Sequence, residues 1–219
     1  MVCVAGRRHR ALAVAALGVM AAAGYRAGRR ASLAWGATHD EQVTGLAGDD
    51  YGRAPDVTAT RAVTIRARPE DVWAWLVQIG RSRGGFYSYD WLENLVGLDI
   101  HSADRLEPQW AVPEEGDVVD LAEHVDLDVV DVRPGTDLVL RGAAPVEDRE
   151  PPYDFVWSFH VRSGPRGTRL VVRERYWCYT SGARALVEGV QWVSLVMTRR
   201  MLHGIRERAE GMSRTPVTG

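Results

Sequence analysis

The sequence predicts an α+β domain in which a curved antiparallel sheet wraps around one long C-terminal helix, with two short helices after the first strand. Three observations carry this. Between Gly116 and Tyr179 the chain is a series of alternating segments separated by Pro/Gly turns, which is the signature of consecutive antiparallel strands. Near the end, Leu186, Val190, Val193, Met197, Met201 and Ile205 recur every three or four residues, as on one face of a long helix. Far upstream, a single strand-like segment runs straight into a helix-like one. Helices grouped on one face of such a sheet leave a gap between sheet and terminal helix.

The chain begins with a leader, residues 1–31. Its apolar run "ALAVAALGVMAAAGY", Ala11 to Tyr25, lies between "RRHR" and "RAGRR". As a helix this run spans about 22 Å, short of the ~30 Å hydrocarbon core. Arginines snorkelling from both ends would make up part of the deficit, so a short membrane anchor is the first expectation. A cleaved export signal with Ala21-Ala22-Ala23 at the cleavage site and a peripheral Ala-rich leader are the alternatives. Arginines on both sides leave its orientation open.

Residues 32–58 mix Gly, Asp, Thr and Pro without a period and read as a linker on the domain surface, pinned by Trp35 and Leu46. The domain itself is placed at residues 59–212, followed by a tail at 213–219. "ATRAVTIRA" (59–67) alternates as a half-buried strand, with Val63, Ile65 and Ala67 on one face and Ala62, Thr64 and Arg66 on the other. "PEDVWAWLVQIG" then starts with Pro at the first helical position, places Glu70 and Asp71 at the positive end and stops at Gly80. A second helix is expected from Ser88 as N-cap to about Gly97. The strands "DVVDLAE", "VDLDVVDVR", "DLVLRG", "YDFVWSFHVRS" and "TRLVVRERYWCY" follow as a meander.

Composition narrows the chemistry. Twenty-seven basic against twenty-nine acidic residues give a formal charge of -2, without the positive field that nucleic-acid binding needs. Every basic residue is arginine, and the absence of lysine excludes Schiff-base chemistry and the P-loop lysine. Cys3 and Cys178 are too far apart in the pattern to suggest a disulfide framework or zinc cluster, and they suit a reducing compartment. A cytoplasmic side is therefore expected for the domain, with export as the alternative. No dinucleotide fingerprint is present, and no cofactor or metal is expected.

The blocks "RAVTIRARPEDVWAWLVQIG", "GGFYSYDWLENLVGLDIHSADR", "GDVVDL", "DVRPGTDLVL" and terminal "RRMLHGIRERAE" resemble the SRPBCC superfamily, the START/Bet v 1-like helix-grip domains, in its bacterial polyketide cyclase/dehydrase or lipid-transport-like branch. The resemblance covers about Trp35 to Glu210. It implies a hydrophobic cavity between sheet and terminal helix and leaves the reaction open, because the superfamily includes binders, transporters, cyclases and oxygenase subunits.

Candidate residues follow from the alternation. In Tyr153 to Ser163 one face carries Phe155, Trp157, Phe159 and Val161, an aromatic wall, and the other carries Asp154, Ser158, His160 and Arg162, so His160 is expected to face solvent. In the last strand Leu170, Val172, Glu174, Tyr176 and Cys178 share a face. If that face is inward, Glu174 and Tyr176 are polar groups at an apolar gap, able to move protons or orient a ligand hydroxyl. The plain alternative is a rim salt bridge of Glu174 with Arg173 or Arg175. The expected cavity lining is Trp75, Phe155, Trp157, Phe159, Leu170, Val172, Glu174, Tyr176, Val193 and Met197, with Glu174, Tyr176 and His101 as acid–base candidates.

Asp99, His101, Asp104 and His124 have metal-ligand chemistry, but D-x-H-x-x-D is short, and Asp and Ser side chains in such a loop usually bond their own backbone. Arg81 and Arg83 in "GRSRGG" could hold an acidic group, or simply face water. Trp73, Trp75, Tyr87, Tyr89 and Trp91 read as core packing rather than a cofactor box. The expected function is binding of a hydrophobic small molecule or lipid. The alternatives are a cyclase/dehydratase-type enzyme and a membrane-tethered interaction protein whose gap is filled by its own side chains.

Overall fold

The computed structural model of the chain describes residues 3–95, 100–110, 112–122, 125–143 and 151–213. Its Ala-rich start forms helix α1, Cys3–Leu33, about 46 Å long. The helix breaks at Gly36, whose φ of 71° and contact with the Ala62 carbonyl, where a Cβ would sit at 2.2 Å, admit no side chain. Among the described residues no helix is long and apolar enough to cross a membrane, so the expected spanning anchor at Ala11 to Tyr25 finds no support.

A short helix α2, His39–Val43, follows, closed by a capping box in which Thr38 Oγ1 accepts from the Glu41 amide and Glu41 accepts from the Thr38 amide. Strand β1 is Val57–Ile65 and α3 is Pro69–Leu76. Proline opens α3 as the sequence predicts, but the helix ends four residues before Gly80. Gly80, at φ 138°, instead exchanges two backbone hydrogen bonds with Gly85. Helix α4 is Asp90–Leu95; Ser88 does not cap it, and its hydroxyl donates to the Met197 carbonyl. The expected end at Gly97 lies outside the described residues.

The strands β2 (Val118–Ala122), β3 (Val125–Arg133), β4 (Asp137–Ala143), β5 (Tyr153–Gly164) and β6 (Gly167–Cys178) pair as one antiparallel meander, and β1 closes onto β6. The order β1-β6-β5-β4-β3-β2 puts the first and last strands side by side. Helix α5, Ser181–Met212, is capped by the Thr180 hydroxyl and runs about 48 Å across the inner face. Its C-terminal half supplies Met201, Leu202, Ile205 and Ala209 to a core that includes Ile65, Leu76, Leu138, Phe159, Leu170 and Val172.

The outer face of the sheet is covered as well. Val139, Val156 and Trp177 are buried there against Ala47 and Tyr51 of the linker. Gly48, at φ 85°, comes so close that a Cβ would sit 2.8 Å from Val139. Trp177 Nε1 donates to the Arg53 carbonyl at 2.6 Å, and Arg173 donates to the Thr44 carbonyl and to Asp49. Trp35 pins the linker's start, its carbonyl accepting from the Ala62 amide and its ring meeting His203 edge-on.

This cover corrects one expectation. His160 is on the outer face, as alternation demands, yet it is fully buried and not in solvent. Its Nδ1 meets Asp137 at 2.6 Å and its Nε2 meets the Ser158 hydroxyl at 3.0 Å. Burial lowers the imidazole's pKa despite the neighbouring carboxylate. Burial would raise Asp137, but its bonds from His160 and Arg162 outweigh that and hold it well below the ordinary carboxylate range. Period-2 alternation shows which face a residue takes, not whether another segment lies over that face.

Candidate functional site

Helix α5 grips the sheet tightly at one end and stands away at the other. At its C-terminal half a Cβ on Gly204 would lie 2.3 Å from the Tyr87 carbonyl, so backbone meets backbone. Tyr87 is held there with φ 55° while its hydroxyl donates to the Trp75 carbonyl at 3.0 Å. Along the N-terminal half a cavity of about 310 Å³ opens between helix and strands.

Its walls differ in chemistry. The sheet side is an aromatic chain from β5 and β6: Tyr153 and Tyr176 at 5.8 Å between ring centres, Tyr176 and Phe155 at 4.8 Å, Phe155 and Trp157 at 6.4 Å. Direct pairing of Phe155 with Tyr176 and of Trp157 with Glu174 puts all of these on the inner face. The opposite side is aliphatic, with Leu121, Val125 and Leu127 from β2 and β3 and Val190, Val193 and Met197 from α5.

One corner is polar. The Glu174 carboxylate is almost wholly buried and bonded to Arg61 at 2.7 Å. Oε1 also accepts from Thr198 at 2.9 Å, the Ser194 hydroxyl lies 2.7 Å from both oxygens, and Oε2 accepts from Tyr176 at 3.3 Å. Arg61 also donates to the Ser194 hydroxyl at 2.9 Å, to the Ser32 carbonyl of α1 and to Gln191 of α5. The network therefore ties α1, β1, β6 and α5 together. A carboxylate with this many donors has few lone pairs left to accept a substrate proton. Burial, reinforced by the Glu174 charge, pushes the Tyr176 phenol well above its usual pKa, so it is a neutral donor.

Six of the expected lining residues are at the cavity: Phe155, Trp157, Glu174, Tyr176, Val193 and Met197. Four are not. Phe159, Leu170 and Val172 are on the same inner face but under the close-packed half of α5, and Trp75 packs edge-on against Tyr87. These four build the solid core, because a shared face does not reveal where a helix lifts from it. The rim salt bridge of Glu174 with Arg173 or Arg175 is also corrected: both arginines are on the outer face with Asp49, and the partner is Arg61.

His101 is exposed and does not line the cavity. Asn94 and Asp90 help to fasten its loop. Asn94 makes two bonds to the Ile100 backbone, and Asp90 accepts from the Ser102 amide and hydroxyl. Asp104 pairs with Arg208 at 3.1 Å, while Asp99 and His124 lie outside the described residues. Arg83 donates to the Val77 carbonyl, and neither it nor Arg81 reaches the cavity. Of the aromatic cluster, Trp73, Trp75 and Tyr87 are buried and Trp91 is largely exposed.

Sequence reasoning missed Tyr153, Ser194, Thr198 and Arg61. Arg61 left a signal: it shares the apolar face of β1 with Val63 and Ile65, and a charge on such a face demands a buried partner. Ser194 and Thr198, four residues apart, left a weaker one, a polar pair beside the apolar stripe of α5.

A six-stranded antiparallel meander closed by its first strand and gripped by one long terminal helix decides the architecture. This is the helix-grip fold. No family model and no curated protein matches this helix-grip chain by sequence. Solved structures similar to it include a polyketide-cyclase-like protein from Corynebacterium glutamicum, with 14% identity, 74% of this chain and 96% of that one covered, and a TM-score of 0.42. The Aha1 dimer of Colwellia psychrerythraea gives 15% identity, 70% and 96% coverage, and a TM-score of 0.41. Ara h 8.0201 gives 11% identity, 71% and 98% coverage, and a TM-score of 0.43.

Proposed function

We propose that the helix-grip domain reversibly binds a predominantly apolar small molecule between the aromatic strands and the N-terminal half of α5. The observation that carries this is the cavity itself: about 310 Å³, aromatic on one side, aliphatic on the other, with one hydrogen-bonding corner. Few polar groups in an apolar concavity fix a ligand's orientation while burial supplies the affinity. Burying ~300 Å² of ligand would contribute about 7 kcal/mol gross, which offsets the cost of association before hydrogen bonds at the polar corner are counted. The open volume does not suit a gap filled by the protein's own side chains.

An acid–base enzyme of the cyclase or dehydratase type is the second reading, because Glu174 and Tyr176 meet at the wall. The donors crowded on Glu174 weigh against it, and His101 does not join them.

Titration of the purified chain with N-phenyl-1-naphthylamine tests the binding reading. Saturable fluorescence enhancement at one site is expected, and competition by the natural ligand class would follow. A chain that is folded by circular dichroism but gives no saturable uptake overturns it.

A further inference from the structure

We infer that α1 and the adjoining exposed face of α5 form one docking surface for an anionic lipid bilayer. The surface goes beyond the binding reading and stands whether or not the cavity takes a ligand.

The two helices join at a defined place. Gly28 of α1 lies against the Trp192 ring, and Arg29 Nε donates to Glu188 at 2.6 Å. Ser32 is buried just below, its carbonyl bonded to Arg61. From that root α1 runs away from the domain: positions 16–28 are all exposed. Leu17, Val19, Met20 and Tyr25 are each more than half exposed along it. Beside the root, α5 exposes Leu186, Trp192, Val193 and Val196 to between 40 and 63%. Solitary exposed apolar residues are ordinary, but eight large ones gathered on two contacting helices are more than chance exposure and mark an interaction surface.

Charge selects the partner. The first 33 residues hold six arginines, at positions 7, 8, 10, 26, 29 and 30, and no acidic residue. The rest of the chain carries the other 21 basic residues against all 29 acidic ones. A basic helix on an acidic domain is attracted to anionic headgroups at one end only, which orients the domain. The apolar run Ala11 to Tyr25, about 22 Å as a helix, has arginines at both ends. In the docked state the run lies in the headgroup–acyl boundary with the exposed Arg26 and Arg30 at the phosphates, and the exposed side chains of α5 enter beside it. Val190, Val193 and Met197, on the same stretch of α5, line the cavity, so a docked domain has that stretch at the lipid.

Co-sedimentation of the intact 1–219 chain with vesicles of phosphatidylcholine alone, or with phosphatidylglycerol added, tests the surface. Binding about tenfold or more stronger to the anionic vesicles is expected, and it should weaken with added salt. The double substitution R26E/R30E should remove most of that preference. L186S/V196S, which touches neither the cavity nor the Arg61 network, should weaken binding to both vesicle types. N-phenyl-1-naphthylamine uptake should be unchanged in both variants, so failed docking and failed ligand binding are read separately. Three results would overturn the inference: a chain that stays in the supernatant with anionic vesicles, equal binding to both vesicle types that R26E/R30E leaves intact, or a stable dimer that L186S/V196S splits without any vesicle binding. The last would assign the surface to a second copy of the chain.

Discussion

Arg61 on β1 donates to Glu174 on β6 across 2.7 Å, with 1% and 3% of the two side chains exposed. Two charges so deeply placed offset their lost hydration only while both are present. Arg61→Ala or Glu174→Ala should each destabilise the domain by about 3–5 kcal/mol, measured by urea unfolding. The double substitution R61M/E174L should cost far less than the sum of the single ones. If the single losses simply add, the two side chains are not coupled as the structure has them.

Filling the cavity should abolish binding without unfolding the protein. Met197→Trp adds volume where α5 stands away from the sheet, so the extra atoms enter open space. Probe affinity should fall by about tenfold or more, while thermal stability changes by less than about 1 kcal/mol. Unchanged affinity would place the binding site elsewhere.

Two glycines of α5 should respond oppositely to alanine. At Gly204 a Cβ would meet the Tyr87 backbone carbonyl at 2.3 Å, so Gly204→Ala must push helix from loop and should cost about 2–3 kcal/mol. At Gly189 nothing lies within 4 Å, and Gly189→Ala should stabilise the helix by about 0.5–1 kcal/mol. Thermal melts of the two variants check the contrast.

The buried His160 should make the fold acid-sensitive. Its pKa is lowered in the native state, so below the unfolded value of about 6.5 the unfolded chain takes up a proton that the native one resists. Stability is therefore complete above that pH and declines as pH falls towards the native pKa. Asp137, with its pKa depressed by His160 and Arg162, adds a further loss of stability below about pH 4. Between pH 7.5 and 5 the decline in unfolding free energy should be smaller in His160→Gln than in the wild type. An identical decline would assign the sensitivity to other groups.

The local signals in the chain determined most of the elements. Alternation set every strand of the meander to within a few residues, and the 3-or-4 spacing set α5, because side-chain periodicity follows from backbone geometry alone. The inward face of Glu174 and Tyr176 was legible once the aromatic face of β5 was assigned, since pairing carries one strand's face to the next.

Only the tertiary structure decided what covers each face and where the packing opens. Residues 41–53 have no period, so nothing local showed that they lie over Val139, Val156 and Trp177. Phe159 and Trp157 belong to the same strand face, yet one is in solid core and the other at a cavity, because α5 approaches closely at Gly204 and stands off near Ser194. Arg61 and Glu174 are 113 positions apart, and their meeting depends on β1 closing onto β6. A sequence records each side chain's local direction, whereas distances between distant elements follow from the packing of all of them at once.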